Sequence, residues 1–135
     1  MYTVSVKREF DAHHFLVGGD WGDENRKHAH HYEVTARLEG LELDLHGYLA
    51  DIADIEKRLD TLVGHFRGKT LNELPEFSGL NPSIEHFSRV FCDAFSKGLE
   101  HTIEAVTVII AENSNACASF RRDLRENGPG IVREP

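Results

Sequence analysis

The residues best suited to chemistry in this chain are its histidines, nine among 135 residues, and they are clustered. His13 and His14 are adjacent, and four more fall between His28 and His46. Neutral imidazole is a good zinc ligand, and three imidazoles with one open position form the donor set of a catalytic site. His28 and His30 stand two apart. In a strand, both rings point to the same face and converge on one ion. His14 completes the set when its own segment pairs alongside. His13 and His31 compete on spacing alone, although alternation turns His31 away from His28 and His30. His65 stands apart after the first predicted helix. The cysteines offer no alternative, because Cys92 and Cys117 are far apart and fit no ligand spacing. They read as two reduced thiols, as expected of a cytoplasmic protein.

A hairpin is what such a set requires, and the sequence supplies one. Tyr2, Val4 and Val6 alternate with Thr3, Ser5 and Lys7, which predicts a strand. Tyr32, Val34, Ala36 and Leu38 alternate with Glu33, Thr35, Arg37 and Glu39, predicting a second, half-buried one. The glycines and acids of residues 17–25 predict a wide loop between them.

Leu49, Ile52, Ile55, Leu59 and Leu62 recur at helical spacing. An irregular connection is expected over 64–81. Asn81 and Pro82 suit the N-cap and first position of a second helix. Its buried stripe would be Ile84, Phe87, Val90, Phe91, Ala94 and Phe95, with Gly98 near its end. The β-branched run 105–111 predicts a strand covered on both faces, with 116–123 beside it. The order strand, strand, helix, helix, strand, strand defines an α+β domain with two helices on one face of an antiparallel sheet. That single domain spans residues 1–124, and residues 125–135 form a C-terminal tail expected to fray.

Composition narrows the partners. Acidic residues number 23 against 15 basic ones, for a net charge of −8. Nucleic acid and anionic membrane surfaces both call for a basic footprint, so neither is expected. No apolar run is long enough for a transmembrane helix. The first eight residues lack the apolar core of a signal peptide.

Six segments, in order, resemble the 6-pyruvoyl-tetrahydropterin and 6-carboxy-tetrahydropterin synthases. Phe10-x-Ala12-x-His14-x-Leu16 is similar to that family's first metal motif, and His28-Ala29-His30 to its His-Gly-His. Residues 47–52 resemble the Gly-x-x-x-Asp-Phe segment of its first helix. Gly64-His65 with Leu71-Asn72 resembles its Asp-His and Leu-Asn pair. Residues 81–85 are similar to the Pro-Thr-x-Glu opening of its second helix. Ala111-Glu112-Asn113 resembles the glutamate-containing end of its third strand.

The resemblance implies a ββααββ tunnelling fold whose sheets join into a barrel, as a homohexamer with active sites between subunits. It implies Zn2+ on His14, His28 and His30, and Glu112 as the anchor of a pterin through paired N–H bonds. In activity it implies a carbon–oxygen or carbon–carbon lyase of tetrahydrobiopterin or queuosine biosynthesis, acting on dihydroneopterin triphosphate or a related dihydropterin.

Besides Ala29 in place of the central glycine, the chain departs from the family's proton-transfer residues twice. Glu24 stands four residues before His28, where a cysteine is usual, and Gly64 stands where an aspartate precedes the histidine. Glu24 is then the candidate base and His65 the remaining relay residue, with Asp60 or Glu85 to orient it. Arg26, Lys27, Arg121 and Arg122 are the cations available for substrate phosphates. Two other readings compete. One is a pterin- or purine-binding homologue that keeps zinc without the synthase reaction. The other is a structural zinc domain, which would need a fourth protein ligand.

Overall fold

The computed structural model describes residues 1–125. Four strands form one antiparallel sheet in chain order: β1 (Tyr2–His14), β2 (His28–Gly40), β3 (Ala105–Asn113) and β4 (Ala116–Asp123). Helices α1 (Ile52–Phe66) and α2 (Ile84–Phe95) pack on one face. The expected α+β order is therefore the observed one. Residues 126–135, most of the expected tail, lie outside the described residues.

Alternation places the core. Tyr32, Val34, Ala36 and Leu38 of β2 are buried beneath the helices. Ile55, Leu59, Val63 and Phe66 of α1, with Phe87, Phe91 and Phe95 of α2, meet them. An aromatic chain runs through this core: Phe10, Tyr32 and Phe66 each pack within 5.1–6.0 Å of the Phe87 ring centre. Such rings bury large apolar areas in fixed mutual orientations. Tyr32 is the link between this rigid packing and the site.

Three expectations shift. First, α1 begins at Ile52, capped by Asp51, whose side chain accepts from the Ala53 N–H. Leu49 is buried before the helix, close to Gly40, and Ile52 is exposed. The helix continues through Gly64 because Val63 and Phe66 extend its buried stripe, so His65 lies in its last turn rather than in the connection. Second, Ser83 caps α2 by accepting from the His86 N–H. Asn81 instead accepts from the Val17 N–H, which ties the chain leaving β1. Third, β3 is covered on one face only within the subunit. Val106, Val108 and Ile110 are buried, whereas Thr107, Ile109 and Ala111 stay half-exposed.

Candidate metal centre

The hairpin register sets His14 directly opposite His28, and Ala12 opposite His30. All three histidines share the helix-covered face, at the end of β1 and the start of β2. Asn72 fixes the chain just beyond, donating to the Phe15 carbonyl and accepting from the Phe15 N–H. One ligand atom from each of His14, Glu24, His28 and His30 lies within 4.8 Å of the others. Glu24 Oε1 is 3.2 Å from His28 Nε2, 3.9 Å from His30 Nε2 and 4.0 Å from His14 Nε2. Neither His13 nor His31 joins this group among the described residues. His31 lies on the opposite face, bonded through both ring nitrogens to Glu9 and Asp11 at 2.6 Å.

The donor chemistry fits a metal ion. His14 Nε2 is buried with no hydrogen-bond partner among the described residues, an arrangement that normally costs stability. Its other nitrogen, Nδ1, is 2.8 Å from the Tyr32 hydroxyl. His28 Nδ1 donates to the Arg26 carbonyl at 2.6 Å, leaving Nε2 as the lone-pair nitrogen. His28 Nε2 and His30 Nε2 face each other at 2.7 Å, and two such nitrogens share either a proton or a cation. Outer bonds that fix ring orientation and tautomer are typical of ligating histidines.

Burial pushes His14 down to about 4, reinforced by the neighbouring His30 and His28. It is therefore neutral and ligand-ready at physiological pH. A depressed histidine contributes stability that is complete above its ordinary value of 6.5 and is lost as pH falls towards 4. The metal-free protein is expected to lose stability across that window, by up to about 1.4 kcal/mol per pH unit. Urea midpoints at successive pH values check this, and a His14→Asn variant should lack the slope. Asp44, Asp60 and Asp123 are held below 3.8 by hydrogen bonds, so their contributions vanish only at lower pH.

Tyr32 is buried and its hydroxyl is held well above its ordinary value, by burial first and then by the charges of Glu112 and Glu24. It stays a neutral hydrogen-bond partner for His14. For a metal ion held on His14, Tyr32→Phe should weaken binding by about 10–100-fold, the usual effect of losing an outer-shell partner. Competition with a chromophoric chelator measures that change.

Beside the imidazoles is a cavity of about 210 Å³, lined by His14, Trp21, Glu24, Ser83, Glu85 and Glu112 among others. Glu112 lies at a bulge where β3 pairs irregularly with β4 between Ala111 and Asn113. Bulges re-aim side chains, and this one was not legible in the sequence. His65 does not line this cavity. Its Nε2 is 2.5 Å from Glu76 Oε2, so Glu76, and neither Asp60 nor Glu85, is its acid partner. Asp60 is bound by Arg8, and Glu85 belongs to the metal-side cavity. Arg121 pairs with Glu39 and Arg122 with Asp93, in the half of β4 whose β3 partners lie farthest from Glu112.

These features define a small α+β domain in which three histidines and a glutamate gather, at the open end of a β-hairpin, as a group that could hold a metal ion. The chain belongs to the 6-pyruvoyl tetrahydropterin synthase family, whose sequence profile matches residues 3–123. Its fold is similar to that of the Caenorhabditis elegans 6-pyruvoyl tetrahydropterin synthase, with a TM-score of 0.71 and 20% identity, covering 91% of this chain and 96% of that one. The Plasmodium falciparum protein gives a TM-score of 0.76 at 14% identity, covering 90% and 98%. The Plasmodium vivax protein gives 0.72 at 14%, covering 91% and 99%, and two of its solved variants replace a glutamate described as a catalytic residue. At these identities the likeness is one of fold. No curated protein matches the chain in sequence.

Proposed function

We propose that this protein is a zinc-dependent lyase of a dihydropterin, with Glu24 as its proton-transfer base. The observation that carries the proposal is the position of Glu24. Its carboxylate meets the three imidazoles on one side and lines the cavity shared with Glu112 on the other. A glutamate in a catalytic role in the Plasmodium vivax relative supports the same assignment.

His14, His28 and His30 would hold the ion. A zinc ion there supplies Lewis-acid polarisation of a substrate oxygen. Glu112 would accept two parallel N–H bonds from the aminopyrimidine edge and so orient the ring. Glu24 would take the proton of a side-chain hydroxyl. The adjacent carbon–carbon bond then breaks, its electron pair passing to the carbon attached to the ring, and that carbon is reprotonated. The products are a 6-hydroxymethyl-dihydropterin and a two-carbon aldehyde, so atoms balance without oxidant or reductant. His65, oriented by Glu76, would assist only from a neighbouring subunit.

The proposed assembly is the homohexamer that the family resemblance implies, in a cytoplasmic setting, and two further observations support an oligomer. Strands β1 and β4 are edge strands, and exposed edges call for cover. The cavity is also smaller than the about 300–1,000 Å³ of ordinary ligand sites, so a neighbouring subunit would complete it. No helix among the described residues is long and apolar enough to cross a membrane.

Among the described residues the cavity wall carries Glu24, Glu85 and Glu112 and no arginine or lysine. On the wall that this subunit supplies, three carboxylates outweigh a dication, which favours an uncharged dihydropterin over its triphosphate. The zinc-loaded protein should therefore convert dihydroneopterin faster than dihydroneopterin triphosphate, with products identified by mass. If neither changes while zinc stays bound, the chain is a binding homologue.

A closed structural site is the second reading, favoured by the same 3.2 Å approach of Glu24 to His28. Glu24 lies on a short 3-10 turn, residues Gly22–Asn25, and its side chain is 48% exposed. A carboxylate so placed can give way to a substrate oxygen.

A further inference from the structure

Trp21 is 44% exposed, an unusual state for so large an apolar side chain. It lines the cavity beside His14 and Glu24. Its placement is fixed in advance. The Asn25 amide donates to the carbonyls of Leu16 and Gly19 and accepts from the Trp21 N–H. The Trp21 carbonyl accepts from the Glu24 N–H, so one turn presents both the carboxylate and the indole. The loop as a whole is anchored to the β1 end and to the second helix entry through Leu16 N–H to Glu24 O and Val17 N–H to Asn81.

Gly19 is shaped to the indole. A Cβ there would lie 2.8 Å from Trp21 Cη2 and 3.1 Å from Cζ2 and Cζ3. The benzene half of the ring is therefore seated on bare backbone, a contact that other residues would obstruct. An aromatic held this way loses little entropy when it meets a ligand.

We infer that Trp21 is a stacking platform for a planar nitrogen heterocycle held between the histidines and the acidic wall. The assignment rests on the pterin reading of the cavity and adds the residue that would grip the ring face. Glu112 and Glu85 offer acceptors for N–H groups at the ring edge. Stacking supplies affinity that is independent of hydrogen-bond pattern, and the flat ring of a dihydropterin presents the required surface.

Trp21 is the chain's single tryptophan, so its emission reports on this site alone. The test titrates the zinc-loaded protein with dihydroneopterin. Trp21 fluorescence lifetime and equilibrium dialysis are read in parallel. The expected result is a saturable fall in lifetime with the dissociation constant found by dialysis. Trp21→Ala should bind about 5- to 150-fold more weakly, the range for bases stacked on aromatic side chains, and Trp21→Phe should recover most of the loss. Zinc content and circular dichroism of both variants verify that the site and fold persist. Dialysis showing binding with an unchanged lifetime and an unaffected Trp21→Ala constant would overturn the Trp21 role while leaving the pterin reading intact. No binding to the parent protein would overturn both.

Discussion

His30→Ala protein, prepared with zinc, is expected to carry far less metal than the parent, whose content should be one ion per subunit. The register supplies the reason. His14 and His28 are direct cross-strand partners, and His30 brings the third nitrogen to 2.7 Å from His28 Nε2. Removing it leaves two imidazoles and a carboxylate on an exposed turn. The affinity loss should exceed the about 10–100-fold that follows loss of an outer-shell partner. Metal analysis after dialysis, with chelator competition for the constant, measures it. His31→Ala is the matched control, one residue away and on the opposite face. Its ring is occupied by Glu9 and Asp11, so zinc content should not change.

Glu24→Gln is expected to keep zinc and lose turnover. Glutamine preserves the shape and an oxygen donor but accepts no proton at the catalytic step. General-base catalysis contributes about 10²–10⁴-fold, and kcat for dihydroneopterin should fall by that factor. The two readings of Glu24 separate cleanly here. Were Glu24 the fourth ligand of a closed site, the substitution would lower zinc affinity and thermal stability together. Steady-state kinetics and metal content on one preparation distinguish these outcomes.

Much of this arrangement was legible in the sequence, and the exceptions have physical causes. Two-residue spacing placed His28 and His30 on one face, because strand periodicity is fixed by backbone geometry. Alternation in Tyr32–Leu38 likewise marked the buried face of β2. Glu24 became a candidate only by comparison with a family pattern, since nothing local marks one acid in an acidic loop. Long-range contacts were not legible. Glu76 meets His65 across eleven positions because α1 runs one turn further than its apolar spacing suggested, and two short turns then fold the chain back. Asn81 looked like a cap, yet its side chain is committed to Val17, and the cap passed to Ser83. Trp21 went unnoticed because exposure is a tertiary property, and Gly19 beside it looked like an ordinary loop glycine.

The proposed chemistry turns on three imidazoles that would hold one zinc ion with a position left for substrate. X-ray absorption at the zinc edge of the purified protein measures that coordination directly. The predicted spectrum has three histidine nitrogens at about 2.0–2.1 Å and a light oxygen shell that changes when dihydroneopterin is added. A protein without stoichiometric zinc, or with a closed four-ligand shell indifferent to dihydroneopterin, would contradict it.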